Sequence, residues 1–178
     1  YSTLVFPSLW AKWVRTDDLL YPRRALGVTL ALSGGSTGLG SDIDFVQLRT
    51  QGHWIHGFGR RDRLLLRAEA GTTVSDDFAL FPPSLRFYAG GDRSVRGYGY
   101  REIGQYFEDV NGDRYVFGGK HLMVASVEYE RMFTREWGGA VFVDAGDAFD
   151  SFDAYEWEVG VGFGVRWRSP VGPVRVDI

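Results

Sequence analysis

Residues 156–168 read Glu-Trp-Glu-Val-Gly-Val-Gly-Phe-Gly-Val-Arg-Trp-Arg, and the alternation holds at every step. Trp157, Val159, Val161, Phe163, Val165 and Trp167 share one parity; Glu156, Glu158, Gly160, Gly162, Gly164, Arg166 and Arg168 share the other. A period of two sends the two sets to opposite faces of a strand. The tryptophans that bound the apolar face are ten residues apart, roughly 33 Å along a strand rising ~3.3 Å per residue. Tilted by ~40°, such a strand covers about 25 Å of height, which is the apolar band of a transmembrane barrel with an aromatic girdle at each rim. Strands of soluble sandwiches also alternate, but they seldom run this long.

The same pattern recurs along the chain. Leu26, Val28, Leu30 and Leu32 oppose Gly27, Thr29, Ala31 and Ser33. Val46, Leu48 and Thr50 lead to Trp54, opposite Gln47, Arg49, Gln51 and His53. Leu64, Leu66, Ala68 and Ala70 oppose Arg67 and Glu69, and Met123, Ala125, Val127 and Tyr129 oppose Ser126, Glu128 and Glu130. Val141 and Val143 oppose Phe142 and Asp144; Val174, Val176 and Ile178 oppose Arg175 and Asp177. With a less regular first strand around Thr3 to Val14, about eight strands are expected. Short turns fall at Phe133-Thr134-Arg135 and Ser169-Pro170-Val171-Gly172, and longer links at Gly34 to Asp42 and Val74 to Lys120. No helical period and no solenoid repeat intrudes.

Composition agrees with this reading. Mean hydropathy is −0.18, and no apolar run approaches the roughly 18 residues of a membrane helix. A barrel escapes both tests, because alternation averages its lipid-facing stripe away. Aromatics make up 16% of the chain, and 24 of its 178 residues are glycine, about twice the usual share. The chain has no cysteine, which removes disulfides and thiol catalysis. A net charge of −3 argues against a nucleic-acid partner, whose readers carry a basic face.

Enzyme and metal signals are weak. His53 and His56 have loose ligand spacing, and His121 stands alone. Asp109-Val110-Asn111-Gly112-Asp113 opens like a calcium loop. Arg114 and Lys120, however, stand where that loop needs glycine and glutamate, so a turn is expected there. No Gly-x-Ser-x-Gly elbow occurs. The expectation is no enzyme, no catalytic residue, no metal and no cofactor.

The link from Val74 to Lys120 is unusually long for a compact domain. Its Leu80, Phe81, Leu85, Phe87, Tyr88, Val95 and Tyr98 are too apolar for a solvated tail. A wide barrel lumen is the available place to bury them. Within it, residues 87–98 read Phe-Tyr-Ala-Gly-Gly-Asp-Arg-Ser-Val-Arg-Gly-Tyr. This stretch resembles the Val-Arg-Gly-aromatic loop signature of the outer-membrane insertase superfamily. The fuller Ala-Gly-Gly-Asp-Arg-Ser-Val-Arg-Gly-Tyr form is most similar to the TamA branch. Gly-Val-Arg-Trp-Arg-Ser-Pro-Val-Gly-Pro-Val-Arg-Val-Asp, residues 164–177, is similar to the penultimate hairpin of that branch. Specific motifs carry the resemblance over about residues 41–178.

The resemblance implies an all-β fold: an antiparallel transmembrane β-barrel of sixteen strands, of which residues 1–178 supply about eight from the C-terminal half. The closing strand and the periplasmic POTRA domains would lie outside this sequence. Residues 74–120 would be a loop folded into the lumen, with the tip Val95, Arg96, Gly97 and Tyr98 docked on wall residues Glu128, Phe142 and Asp144. Parity read from the residues alone assigns those three wall positions to the lumenal face. An arginine suits such a tip because its guanidinium is always charged and forked to match carboxylates. Gly97 would permit a turn or a close approach, and Gly160, Gly162 and Gly164 would leave the wall bare beside it.

By the same resemblance, the whole protein would reside in the bacterial outer membrane and assist assembly of autotransporter-type proteins. Its partners would be the lipid bilayer, outer-membrane protein clients and a TamB-like inner-membrane protein. The alternatives are a BamA-like or two-partner-secretion translocase, or a self-contained eight-stranded structural barrel. If the long loop is extracellular, Trp13, Trp54, Trp137 and Trp167 belong to a periplasmic girdle and Trp157 to the opposite rim.

Overall fold

The computed structural model describes residues 3–178. Eight strands form one antiparallel sheet in which every neighbour in space except one pair is a neighbour in sequence. They are β1 (Ser8–Thr16), β2 (Arg24–Gly35), β3 (Phe45–Phe58), β4 (Asp62–Ser75), β7 (His121–Met132), β8 (Trp137–Phe149), β9 (Glu158–Ser169) and β10 (Gly172–Asp177). β4 pairs directly with β7, so the chain between them leaves the sheet and returns to it. That excursion carries its own two-stranded hairpin, β5 (Tyr106–Glu108) with β6 (Arg114–Val116). β1 and β10 do not pair with each other, so the sheet is unclosed. An eight-stranded barrel complete in itself is therefore not what this chain forms.

Exposure follows parity. On β9, Val159, Val161, Phe163 and Val165 are exposed while Gly160, Gly164 and Arg166 are buried. On β7 the exposed positions are Met123, Ala125, Val127, Tyr129 and Arg131, and Leu122, Val124, Ser126, Glu128 and Glu130 are buried between them. Val161 is 72% exposed and Asp144 0%, the reverse of a water-soluble sheet. Apolar side chains outward and ion pairs inward are the signature of a wall between lipid and lumen.

Connectors sort by length at the two ends. Residues 36–44, 76–120 and 150–157 lie at one end; 17–23, 59–61, 133–136 and 170–171 lie at the other. Trp137 and Trp167 face each other across β8 and β9, with rings stacked at 5.5 Å. Both stand at the short-connector end, as do Trp13 near the end of β1 and Trp54 near the end of β3. Trp157 precedes β9 at the opposite end.

Two details differ from the sequence reading. β1 begins at Ser8 rather than near Thr3 and ends at Thr16. The segment expected to be irregular contains the β5–β6 hairpin, whose strands of three residues are too short to show a period. Asp109 makes its turn, accepting from the amides of Asn111 at 2.8 Å and Asp113 at 2.9 Å, with Gly112 at φ 86°.

The apolar residues of the long segment also divide. Phe87 and Val95 join Ala89, Ile103, Leu122, Val124 and Ala148 in one cluster. Phe81 packs instead with Ile43 and Phe45 at the long-loop rim, joined by Leu4, Phe6, Phe78 and Leu85. Leu80 is 53% exposed, so not every apolar residue of the segment is buried.

Candidate functional site: an arginine-pinned loop in the lumen

The segment between β4 and β7 is steered by backbone pairing before any side chain acts. Phe87 exchanges both hydrogen bonds with Gly119, at 3.1 and 2.9 Å, and Ala89 does the same with Ile103, at 2.9 and 3.1 Å. Beyond this short ladder the chain reverses through Gly90 at φ 97° and Gly91 at φ 98°, values that side-chain-bearing residues rarely adopt. The Gly91 amide donates to the carbonyls of Val95 at 3.2 Å and Tyr98 at 3.1 Å. The result is a compact tip, residues 90–98, with Val95 fully buried.

Arg96 leaves this tip toward β7 and β8. Its Nε donates to Asp144 Oδ2 at 2.6 Å and its Nη2 to Asp144 Oδ1 at 2.9 Å, a two-pronged fork. Nη1 donates to Glu128 Oε2 at 2.7 Å and to Asp177 Oδ2 at 3.0 Å. The Arg96 backbone amide also donates to Asp144 Oδ2, at 3.1 Å. The guanidinium lies over the Phe142 ring, 3.4 Å from its centroid; a cation on a ring face gains from the ring quadrupole. One tip arginine thus touches residues of β7, β8 and β10.

Gly97 and Gly160 serve different ends. Gly97 sits at φ 93°, and nothing lies within 4 Å of where its Cβ would stand, so the turn requires it and not the space. Gly160 on β9 is the reverse case: a Cβ there would collide with the Arg96 carbonyl oxygen. Gly162 makes room for the Phe142 ring instead of the tip. Tyr98 donates its hydroxyl to Glu158 Oε2 at 2.7 Å. That bond to a carboxylate, helped by burial, raises the phenol above its ordinary range.

The charges continue past the tip. Arg166 donates to Glu128 Oε1 at 2.7 Å, Glu130 Oε1 at 3.1 Å and Asp177 Oδ1 at 2.5 Å. Arg63 donates from Nε to Glu130 and from Nη1 to the Pro22 carbonyl at 2.8 Å. Along the wall the order is therefore Asp144, Arg96, Glu128, Arg166, Glu130, Arg63, with Asp177 bridging the two central arginines. Buried ions persist only when opposite charges and hydrogen bonds replace lost water, and alternation supplies both.

Sequence reading named Val95, Arg96, Gly97, Tyr98, Glu128, Phe142 and Asp144. Val95 packs in the segment's own cluster, and Tyr98 turns to Glu158. Arg96, Glu128, Phe142 and Asp144 meet directly. It put Glu130, Arg166 and Asp177 on the lumenal parity without giving them a role, and it did not name Arg63. Their signal was an ionisable residue on lumenal parity, within β7 and β9 for Glu130 and Arg166 and at a strand end for Arg63 and Asp177, which a barrel wall facing open water would not have to pair.

An open antiparallel sheet, apolar outside and ion-paired inside, with a long connector folded onto its inner face, defines the class of outer-membrane barrels that carry a lumenal loop. The sequence matches the Omp85 superfamily domain over residues 8–178, and the chain belongs to that superfamily, whose members reside in the bacterial outer membrane. It is 31% identical over 147 residues to the outer membrane protein assembly factor BamA of Nitratidesulfovibrio vulgaris strain Hildenborough, a match covering 79% of this chain and 18% of that protein. The crystal structure of BamA from Haemophilus ducreyi lacking POTRA domains 1-3 superposes with a TM-score of 0.77 at 19% identity, over 96% of this chain and 38% of that one. The chain thus spans less than a fifth of the curated relative.

Proposed function

We propose that residues 1–178 are the C-terminal part of the barrel of an outer-membrane protein assembly factor, with residues 76–120 as its lumen-inserting loop. This is the expected 74–120 less Val74 and Ser75, which belong to β4 and pair with β3. The observation that carries this reading is Arg96 held by Asp144 and Glu128, which fixes a long connector against the inner wall. No bond is made or broken in such a protein. Its chemistry is strand pairing: the exposed edge of a sheet carries unpaired amides and carbonyls that template an incoming strand. A pinned loop keeps the wall near that edge in one shape while the client strand adds.

Within this reading the branch is TamA-like, with autotransporter-type clients and a TamB-like inner-membrane partner. The Ala89 to Tyr98 sequence supports it, including the double glycine whose positive φ values shape the tip. A BamA-like general assembly factor is the second reading, favoured by the Nitratidesulfovibrio relative. Complementation separates them. The full-length protein is expected to restore surface display of an autotransporter in cells lacking their TamA-type protein and to co-purify with a TamB-like protein. Rescue of growth and of bulk outer-membrane barrels after BamA depletion, without restored display, overturns the TamA-like branch; failure of both rescues overturns the assembly role.

A further inference from the structure

Arg63, Arg96 and Arg166 on the inner wall are ion-paired, but two arginines on the outer face are not. Arg15 stands opposite Leu26, which stands opposite Trp54, and Arg24 stands opposite His56. Leu26 and Trp54 belong to the exposed apolar stripe, so Arg15, Arg24 and His56 share the lipid-facing parity. They line a cleft of about 700 Å³ with Leu26 and Trp54, at the short-connector end where the tryptophans gather. Both arginines are exposed, and among the described residues neither guanidinium has an ion-pair or hydrogen-bond partner. The nearest carboxylate in the cleft, Asp17, is occupied by backbone amides: its Oδ1 accepts from Arg23 at 2.9 Å and Arg24 at 3.0 Å.

We propose that Arg15 and Arg24 form a headgroup site for an anionic phospholipid on the outer surface of the barrel wall. A guanidinium on a lipid-facing stripe is costly unless it reaches the interface and finds a counter-charge. The forked donors of arginine match phosphate oxygens. Tryptophan marks the depth of the interface; Trp54, stacked on His56 at 5.4 Å, sets the cleft at that depth. Leu26 and the Trp54 ring continue below the charges as an apolar wall for the first methylenes of an acyl chain. A free phosphate would use the two arginines and leave that wall unused, so the lipid is the better occupant.

The test is native mass spectrometry of the full-length protein in detergent, titrated with phosphatidylglycerol or phosphatidylcholine. The wild type is expected to retain one more phosphatidylglycerol than phosphatidylcholine, and excess inorganic phosphate is expected not to displace it. Arg15→Gln with Arg24→Gln should lower retention by at least about threefold, as loss of two cations facing an anionic headgroup implies. Arg114→Gln, the same charge removed from the β5–β6 hairpin, should leave it unchanged. Folding is checked by heat-modifiable gel mobility, and the single variants replace the double one if it fails that check. Equal retention of both lipids, undiminished retention in a folded arginine variant, or displacement by phosphate overturns the proposal.

Discussion

Two segments close on the inner wall from opposite ends, and they are held in different ways. The tip at residues 90–98 enters from the long-connector end and is held by charge, one arginine against three carboxylates. The connector at 17–23 folds across the short-connector end and is held mainly by dipoles and ring faces. Tyr21 lies under Arg168 at 4.2 Å and beside Arg63 at 5.3 Å. Arg23 donates to the carbonyls of Arg60 at 3.0 Å and Gly59 at 2.6 Å, while Asp18 Oδ1 caps the amides of Leu20 and Tyr21. Arg63 is where the two systems touch, since it holds both Glu130 and the Pro22 carbonyl. A buried charge that loses its partner leaves an uncompensated ion, whereas a lost dipole contact is readily replaced by water. The tip should therefore release as one unit and the lower connector should fray.

Arg96→Ala tests the first half of that contrast and should have the largest effect. It strips the fully buried Asp144 of a forked partner and Glu128 of one of its two arginines. Breaking a fully buried pair costs about 3–5 kcal/mol, and lumenal water lowers that figure. The expected outcome is an intact sheet with a freed segment: trypsin should cut within 76–120 at least tenfold faster, equivalent to about 1.4 kcal/mol of lost docking, while heat-modifiable mobility persists. Unchanged cleavage would mean that the ladder at Phe87 and Ala89 holds the segment without the arginine.

Arg63→Gln tests the second half. It removes the cation shared by Glu130 and Pro22, at a cost of about 1–3 kcal/mol for a buried acceptor left short of a donor. Hydrogen exchange should rise at 17–23 and stay near wild type at 90–98, because Glu130 keeps Arg166. Loss of protection at both places together would show that the charge ladder is one cooperative unit, and the contrast between the two segments would fall.

How much of this was legible in the sequence depended on how many neighbours each strand has. β7, β8 and β9 are flanked on both sides, so lipid on one face and lumen on the other enforce alternation along most of their length, up to Gly146–Phe149 of β8, which are all buried. Parity assigned Glu128, Phe142 and Asp144 to the face on which they are buried. β1 has one partner and carries Trp10 and Trp13 on opposite parities, both exposed, which is why its limits read poorly. Parity also assigned Asp177 to the lumen without revealing its partners. Those depend on register: Asp177 lies opposite Gly164, and a Cβ at Gly164 would overlap Asp177 Oδ1 and stand 2.6 Å from Arg166 Nη1. The missing side chain lets Asp177 reach Arg166, and pairing register is not written in the alternation. The connector at 17–23 carries no periodic signal at all, and its fold depends on contacts with residues such as Arg63 and Arg168 far along the chain.

Tyr98→Phe should have the smallest effect and sharpens the comparison at the tip's edge. The hydroxyl donates one bond, to Glu158, whose loss at a partly exposed position costs about 0.5–1 kcal/mol. The pH dependence has a definite sign. The phenol is raised from 10.0 in the folded state, first by that bond. A raised group contributes stability that is fully present below its unfolded value and disappears as pH climbs through the folded one. Docking of the tip should therefore be indifferent to this group at neutral pH and weaken only above pH 10, as tyrosinate forms beside the Glu158 carboxylate. The difference in tyrosinate absorbance between wild type and Tyr98→Phe isolates the group from the other eight tyrosines. A difference curve centred at or below 10 would mean that the bond to Glu158 does not persist, leaving Arg96 and the backbone ladder to hold the tip without it.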